Sequence, residues 1–275
     1  MSFLRCPVCG GALTRLEKVC VCGKGHSFDV ARQGYVNLLL HAGSGKRHGD
    51  DKRMVAARRD FLERGYYDPL SNLISALCCQ YAGDEVLLLD AGCGEGKYTC
   101  DALNALRSAG KTAHGVGVDI SKEALIYAAK RDSSLTLLVA SSSELPLMDS
   151  CADVLLNIFS PLAREEFLRV LKPGGVLLRV WPLEKHLWEL KTLIYDAPYP
   201  NRPADPACAG FSLSETRELR YPIHLGSPEE IQALFEMTPY YYKTSRADQQ
   251  KAATAETLTV TLEFGVGVYR KEKTP

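Results

Sequence analysis

The chain has 275 residues, 46% hydrophobic and 24% charged, enough to bury one full α/β core and still supply a small appended module. No stretch approaches the ~20 uninterrupted apolar residues of a membrane helix, and Met1 to Cys9 lack the basic-then-apolar layout of a secretion signal, so a soluble cytoplasmic protein with no membrane partner is expected. The 33 Lys and Arg balance the 33 Asp and Glu, yet residues 1–64 hold 12 basic side chains against 6 acidic, a clustering that suits a phosphate-bearing partner or a solvated basic face.

Residues 1–36 read as a zinc-binding module. Cys6-Pro7-Val8-Cys9 forms one knuckle, and Cys22-Gly23-Lys24-Gly25-His26 follows as a second close pair. Two such pairs let Cys6, Cys9, Cys22 and His26 meet around a tetrahedral zinc, with every position filled by protein and therefore a structural role. Cys20 competes for the third position. Cys22 is preferred because it forms a knuckle with His26 and the intervening glycines free the backbone to wrap the metal. Without metal, so few apolar residues would hardly fold. Cys78, Cys79, Cys93, Cys100 and Cys151 lie in apolar or motif contexts and read as reduced thiols.

Residues 37–82 read as a linker and helical segment. His41 to Asp50 has the glycine and charge content of a mobile linker. From Asp51 to Tyr81, Met54, Val55, Phe61, Leu62, Leu70, Leu73, Ile74 and Leu77 recur at helical spacing, which predicts two helices with a turn at Gly65.

Over residues 83–275 continuous apolar runs alternate with helical stretches: 86–89, 113–118, 135–139, 154–158 and 176–180. That pattern predicts parallel strands covered on both faces, a doubly wound α/β sheet. A helix opens at the Ser227 cap and Pro228, and alternation from Thr257 to Tyr269 suits an antiparallel closing strand.

The first of these strands ends in Asp90-Ala91-Gly92-Cys93-Gly94-Glu95-Gly96. Glycines at the carboxyl end of a parallel strand let backbone approach a cofactor closely. A dinucleotide fingerprint would need its third glycine at position 97, which is Lys97, so the spacing argues against a nicotinamide cofactor. The next strand ends at Asp119, from which an acidic side chain can accept hydrogen bonds from ribose hydroxyls. The lesser alternative is a helix-capping aspartate before Ser121.

With the later turn Leu171-Lys172-Pro173-Gly174-Gly175, these residues resemble class I S-adenosylmethionine-dependent methyltransferases and their seven-stranded sheet. The resemblance implies that Asp90, Gly92, Gly94, Glu95 and Gly96 form the loop around the methionine end, Asp119 holds the ribose, and Ser141 and Ser142 flank the adenine.

A narrower resemblance runs through nearly the whole chain: Gly34-Tyr35-Val36-Asn37-Leu38-Leu39, Gly49-Asp50, Met54, Ala57-Arg58-Arg59, Phe61-Leu62, Gly65-Tyr66-Tyr67, Pro69-Leu70, Pro146, His186-Leu187, Glu189-Leu190-Lys191 and Met237-Thr238-Pro239. Together with the zinc knuckles these are similar to the RlmA-type 23S rRNA (guanine-N1)-methyltransferases. The resemblance implies methyl transfer to N1 of a guanine in a 23S rRNA hairpin, cofactor contacts by Tyr67 and His186, and a homodimer. Asn157-Ile158-Phe159-Ser160-Pro161 keeps the proline of the family's pattern but is variable in character, so no target-base role is carried over residue by residue.

Guanine N1 must lose a proton, and the sequence does not name its acceptor; Asp50 and Glu95 both read more readily as solvated or structural. Arg15, Lys18, Lys24, Arg32, Lys46, Arg47, Lys52 and Arg53 are the candidate phosphate contacts. Two other functions fit parts of the pattern: methylation of a small molecule with the zinc module as a protein-docking element, and a non-enzymatic RNA-binding protein, which the intact glycine loop disfavours.

Overall fold

The computed structural model describes residues 3–40 and 51–272. The segment read as a linker, with Lys46, Arg47, Gly49 and Asp50, lies outside them. Three short antiparallel strands come first: β1 Leu13–Arg15, β2 Val19–Cys22 and β3 Ser27–Asp29. β4 Tyr35–Asn37 then leaves this small sheet for a larger one. Helices α1 Lys52–Glu63 and α2 Asp68–Tyr81 follow. Asp51 caps α1 by accepting from the Met54 amide at 2.9 Å, and the turn between the helices runs through Gly65, whose φ of 80° a side chain would resist.

The rest alternates as the apolar runs predict: β5 Glu85–Ala91, α3 Lys97–Ser108, β6 Thr112–Asp119, α4 Lys122–Arg131, β7 Thr136–Val139, β8 Ala152–Ile158, α5 Arg164–Val170, β9 Leu171–Pro182, α6 Trp188–Ile194, β10 Phe211–Leu225, α7 Pro228–Glu236, a 3-10 turn Tyr241–Lys243, α8 Arg246–Thr254 and β11 Leu258–Lys271. The large sheet has the order β10-β11-β9-β8-β5-β6-β7-β4, in which β11 pairs antiparallel with both β9 and β10 while the other pairs are parallel. Seven of its strands form the class I methyltransferase sheet, and β4 is an eighth strand added at the edge. The order reverses between β5 and β8, which makes their carboxyl ends the crevice where such sheets bind ligands.

Two elements differ from the sequence reading. β10 carries Ser-Glu-Thr-Arg-Glu-Leu-Arg with no apolar run; it forms because β11 supplies one full ladder, while most of its side chains face solvent at the sheet edge. Leu171–Gly175 is a bulge inside β9 rather than a turn before it: Ala152 pairs with Leu171 and Val154 with Val176, and the extra residues fold out around Gly174, φ 76°.

One core lies under α1, α2, α3, α6 and α7. The core on the other face joins Leu89, Val116, Leu138 and Leu147 to Leu4, Leu13, Cys20 and Val36 of the N-terminal module. The module is also tied by backbone: the Arg5 amide donates to Pro146 O at 2.9 Å, Met148 N to Phe3 O at 2.8 Å, and Leu38 N to Val139 O at 3.0 Å. Among the described residues no helix is long and apolar enough to cross a membrane.

Candidate active site and metal centre

The carboxyl ends of β5, β6 and β7 bring the expected cofactor residues side by side. Gly92, Gly94 and Gly96 have φ of 96°, 56° and 83°, so the chain turns tightly from β5 into α3, and Gly96 serves as the helix N-cap. A Cβ on Gly92 would stand 2.5 Å from Ser160 Cβ, and one on Gly96 3.0 Å from Ala128 Cβ. Asp119 fixes this loop from the neighbouring strand: Oδ2 accepts from Gly94 N at 2.9 Å and Oδ1 from Ser121 N at 2.8 Å. It therefore anchors the loop and starts α4, and each carboxylate oxygen has capacity for more than one hydrogen bond. Ser141 follows directly, since Ala140 N donates to Asp119 O at 3.2 Å, and its hydroxyl pairs with Ser143 Oγ at 2.7 Å. Ser142 lies in the same turn.

Asp90 is buried at the head of the loop, with Oδ2 accepting from Thr99 Oγ1 at 2.6 Å. Burial, reinforced by the charges of Asp119 and Glu95, pushes its carboxyl up to about 7. Burial also raises the Glu95 carboxyl. Above the loop, Arg58 of α1 approaches to 3.9 Å from where a Gly94 Cβ would stand, and its Nη2 donates to Met237 O at 3.4 Å. Arg58 enters the sequence reading only as part of a family signature; its spacing on α1 gives no sign of the loop it covers.

Tyr67 and His186 come from distant parts of the chain and meet on one ring. Phe264 of β11 lies 5.2 Å from the Tyr67 ring and 4.8 Å from that of His186. Both are buried. Burial, and then the Lys191 charge, lower the His186 imidazole to about 3, so it is neutral at physiological pH. Its Nδ1 accepts from the Glu263 amide at 3.1 Å, which leaves the proton on Nε2 as a donor. On the other side of the crevice, the loop after β8 is held by Asn157, whose Nδ2 donates to the Ser160 and Pro161 carbonyls, each at 3.2 Å, and to Ser160 Oγ. Sequence pattern alone gives neither Asn157 nor Ser160 a role; the one signal for Asn157 is a lone amide inside the apolar run of β8.

In the N-terminal module Cys6, Cys9, Cys22 and His26 place their donor atoms within 4.8 Å of one another. Cys9 Sγ and Cys22 Sγ are 3.7 Å apart, and His26 Nδ1 lies 3.4 Å from Cys22 Sγ and 3.7 Å from Cys6 Sγ. These are the edges of a tetrahedron with bonds of about 2.3 Å, the zinc–thiolate distance. Each knuckle closes through a glycine at positive φ, Gly10 and Gly25, with Gly10 N donating to Cys6 O and Gly25 N to Cys22 O. Cys20 is buried one strand repeat away and lies outside the group.

Residues 4–40 match the family described as "RlmA, N-terminal", a zinc ribbon, and residues 89–179 that described as "Methyltransferase domain". A Micromonospora griseorubida protein, provisionally assigned as a 23S rRNA (guanine-N(1)-)-methyltransferase, is 36% identical over 98% of both chains. A Bacillus subtilis protein with the same provisional assignment is 34% identical over 97% of both. The 23S rRNA (guanine(748)-N(1))-methyltransferase of Streptomyces fradiae is 38% identical over 69% of this chain and 67% of its own. The chain belongs to the 23S rRNA (guanine-N(1)-)-methyltransferase family.

As a member, this methyltransferase uses S-adenosylmethionine and carries a zinc ribbon. Its residues fit both groups. Asp90 Oδ1 and Glu95 Oε1 are buried without a hydrogen-bond partner, and Arg131 Nη2 stands 3.9 Å from the latter. Orphaned acceptors beside a glycine loop suit a ligand bearing an ammonium group and hydroxyls. The three-cysteine, one-histidine set of the ribbon suits zinc in a closed structural site.

Proposed function

We propose that this chain transfers a methyl group from S-adenosylmethionine to N1 of a guanine in a hairpin loop of 23S rRNA, in the cytoplasm and as a homodimer. The observation that carries the reading is the full-length relationship to proteins of that assignment, ribbon and glycine loop included, at 36% identity over 98% of the chain. The basic, solvent-facing ribbon adds to it, because Arg15, Lys18, Lys24 and Arg32 are all exposed there.

In this reading Asp90, Gly92, Gly94, Glu95, Gly96, Asp119, Ser141, Ser142, Tyr67 and His186 hold the cofactor, and Cys6, Cys9, Cys22 and His26 hold zinc. When bound, the cofactor supplies an electrophilic methyl on a sulfonium. In-line transfer asks the protein mainly for positioning. The glycine loop brings backbone amides close, Asp119 fixes that loop and would accept from the ribose hydroxyls, and neutral His186 offers an Nε2 proton as a hydrogen-bond donor. The zinc ribbon takes no chemical part; it shapes one face of the sheet and presents cations to phosphates.

The test is mass spectrometry of nucleosides from 23S rRNA of a strain lacking the gene. Loss of 1-methylguanosine, restored by the wild-type gene, is the expected result. An unchanged 1-methylguanosine content would refute the substrate.

A further inference from the structure

The stretch His186-Leu187-Trp188-Glu189-Leu190-Lys191 contains two charged residues that the cofactor reading leaves without a role. Glu189 accepts from the Thr261 amide at 2.9 Å and from Thr261 Oγ1 at 2.8 Å, which fastens α6 to β11. Lys191 is buried, and among the described residues no carboxylate pairs with it. Its ammonium donates to Asn201 Oδ1 at 2.7 Å and to Tyr199 O at 3.1 Å, with the Tyr240 and Tyr199 rings 5.1 and 5.3 Å away. Taking a lysine out of water is costly, and an apolar side chain of similar length would fill the position at less cost. The buried charge therefore asks for a task beyond packing.

Asn201 passes this anchor on to the turn before His186. Its Nδ2 donates to Leu183 O at 2.8 Å, the same carbonyl that accepts from His186 N at 3.2 Å, and its own amide donates to Glu184 O at 2.8 Å. After His186 the backbone is strained: Leu187 is buried at φ 58°, in the left-handed region that such a side chain rarely enters, and Leu187 N donates to Thr261 O at 3.0 Å. A ring carried on such a turn keeps its place only while both ends are fixed. β11 fixes one end and gives His186 Nδ1 the Glu263 amide at 3.1 Å, while Asn201 fixes the other.

We propose that Lys191 is a positioning residue for His186, acting through Asn201 to hold the Leu183–His186 turn so that the imidazole stays on the Glu263 amide and offers Nε2 to the cofactor. The proposal rests on the reading of His186 as a cofactor contact and adds to it the group that keeps the contact in place. A side chain that touches a ligand works only as well as the groups behind it hold it. The Lys191 charge also adds to the burial that keeps the imidazole neutral.

The experiment measures S-adenosylmethionine affinity by calorimetry, together with melting temperature, for the full-length wild type, K191M, N201D, H186A and the double variant K191M/H186A. K191M removes the ammonium and fills its volume, so the protein should melt no earlier than the wild type while binding the cofactor roughly 3- to 10-fold more weakly, the worth of one hydrogen bond. N201D keeps an acceptor for Lys191 but loses the donor to Leu183; it should weaken binding to a similar degree, and it carries the test if K191M folds poorly. In the H186A background K191M should cost nothing further, because the cycle isolates what Lys191 does through His186. Wild-type affinity in both K191M and N201D would overturn the proposal. So would an equal fall from K191M with and without His186, or an affinity that drops only in step with melting temperature, since either makes Lys191 a support of the fold alone. If H186A binds the cofactor as the wild type does, the reading of His186 fails first and takes this proposal with it.

Discussion

Ser160 donates its hydroxyl to the carbonyl of Ala91 at 2.6 Å, clamping the loop after β8 onto the strand that carries the glycine turn. Gly92 makes the clamp fit, because a Cβ there would overlap Ser160 Cβ at 2.5 Å on a backbone already at φ 96°. Gly92→Ala should therefore weaken cofactor binding at least about tenfold, since left-handed strain alone costs about 1–2 kcal/mol before the overlap is relieved. Pairing it with Ser160→Gly should recover part of the loss. Calorimetric titration with S-adenosylmethionine measures both, and unchanged affinity in the single variant would count against the loop as the cofactor site.

Asp119 serves two amides, those of Gly94 and Ser121. Asp119→Ala should weaken cofactor binding by about 1–3 kcal/mol, the usual cost of leaving buried partners unmatched. It should also lower the melting temperature of the ligand-free protein, because the loop and the start of α4 lose their common anchor. A variant that melts earlier yet binds the cofactor as before would leave Asp119 with the structural role only.

Burial raises the Asp90 carboxyl from 3.8 to about 7. The folded protein then binds this proton more tightly than the unfolded chain, so its stability falls as pH rises from about 4 towards 7 and levels off above that. Asp90→Asn keeps an acceptor for Thr99 and removes the buried charge. It should stabilise the ligand-free protein at pH 8, by about 1–3 kcal/mol, with the difference shrinking towards pH 4, and should bind cofactor more weakly. Melting curves across this range, alone and with cofactor, separate the two effects. Equal stability of the two proteins at pH 8 would contradict the buried charge.

The strands at 86–89, 113–118 and 154–158 are legible in the sequence because fully buried parallel strands need continuous apolar runs, and the glycine loop because its spacing is set by backbone approach. The two cysteine knuckles are legible for the same local reason. β10 is not, since its ladder comes from β11 and its side chains meet water. Nor is the site's far wall: Phe264, Asn157 and Arg58 acquire meaning only when β11, β8 and α1 are brought to one crevice, and nothing in their local spacing records it.

For the ribbon, Cys22→Ser should lose its metal and Cys20→Ser should keep it, because Cys22 lies 3.4 Å from His26 Nδ1 while Cys20 is outside the cluster. Metal content per chain by mass spectrometry decides the point. Equal zinc in both variants would mean that another side chain closes the site. Stripping the metal should also lower the melting temperature of the whole protein, since Leu4, Leu13 and Val36 share a core with Leu89, Val116 and Leu138 of the large sheet.

The same shared core revises what a truncation would do. The sequence suggests that a chain beginning at Asp51 folds by itself, its helices and sheet having their own apolar faces. The structure removes that independence: the deletion would strip β4 from the edge of β7 and uncover Leu138 and Leu147, so the fragment should be poorly soluble or melt well below the full chain. RNA binding by the ribbon is better tested by charge in the full-length protein. Arg53 is a poor target, since it is bound to both carboxylate oxygens of Glu236 and stacked on Tyr241. Lys18, Lys24 and Arg32 are exposed on the ribbon. Replacing these three with glutamine should leave melting and cofactor affinity unchanged and flatten the dependence of RNA affinity on salt, by roughly 0.7–0.9 in the log–log slope for each phosphate that is no longer neutralised. Filter binding across a salt series gives that slope. A slope identical to the wild type would move the RNA surface away from these residues, and a fall in melting temperature would assign them to the fold.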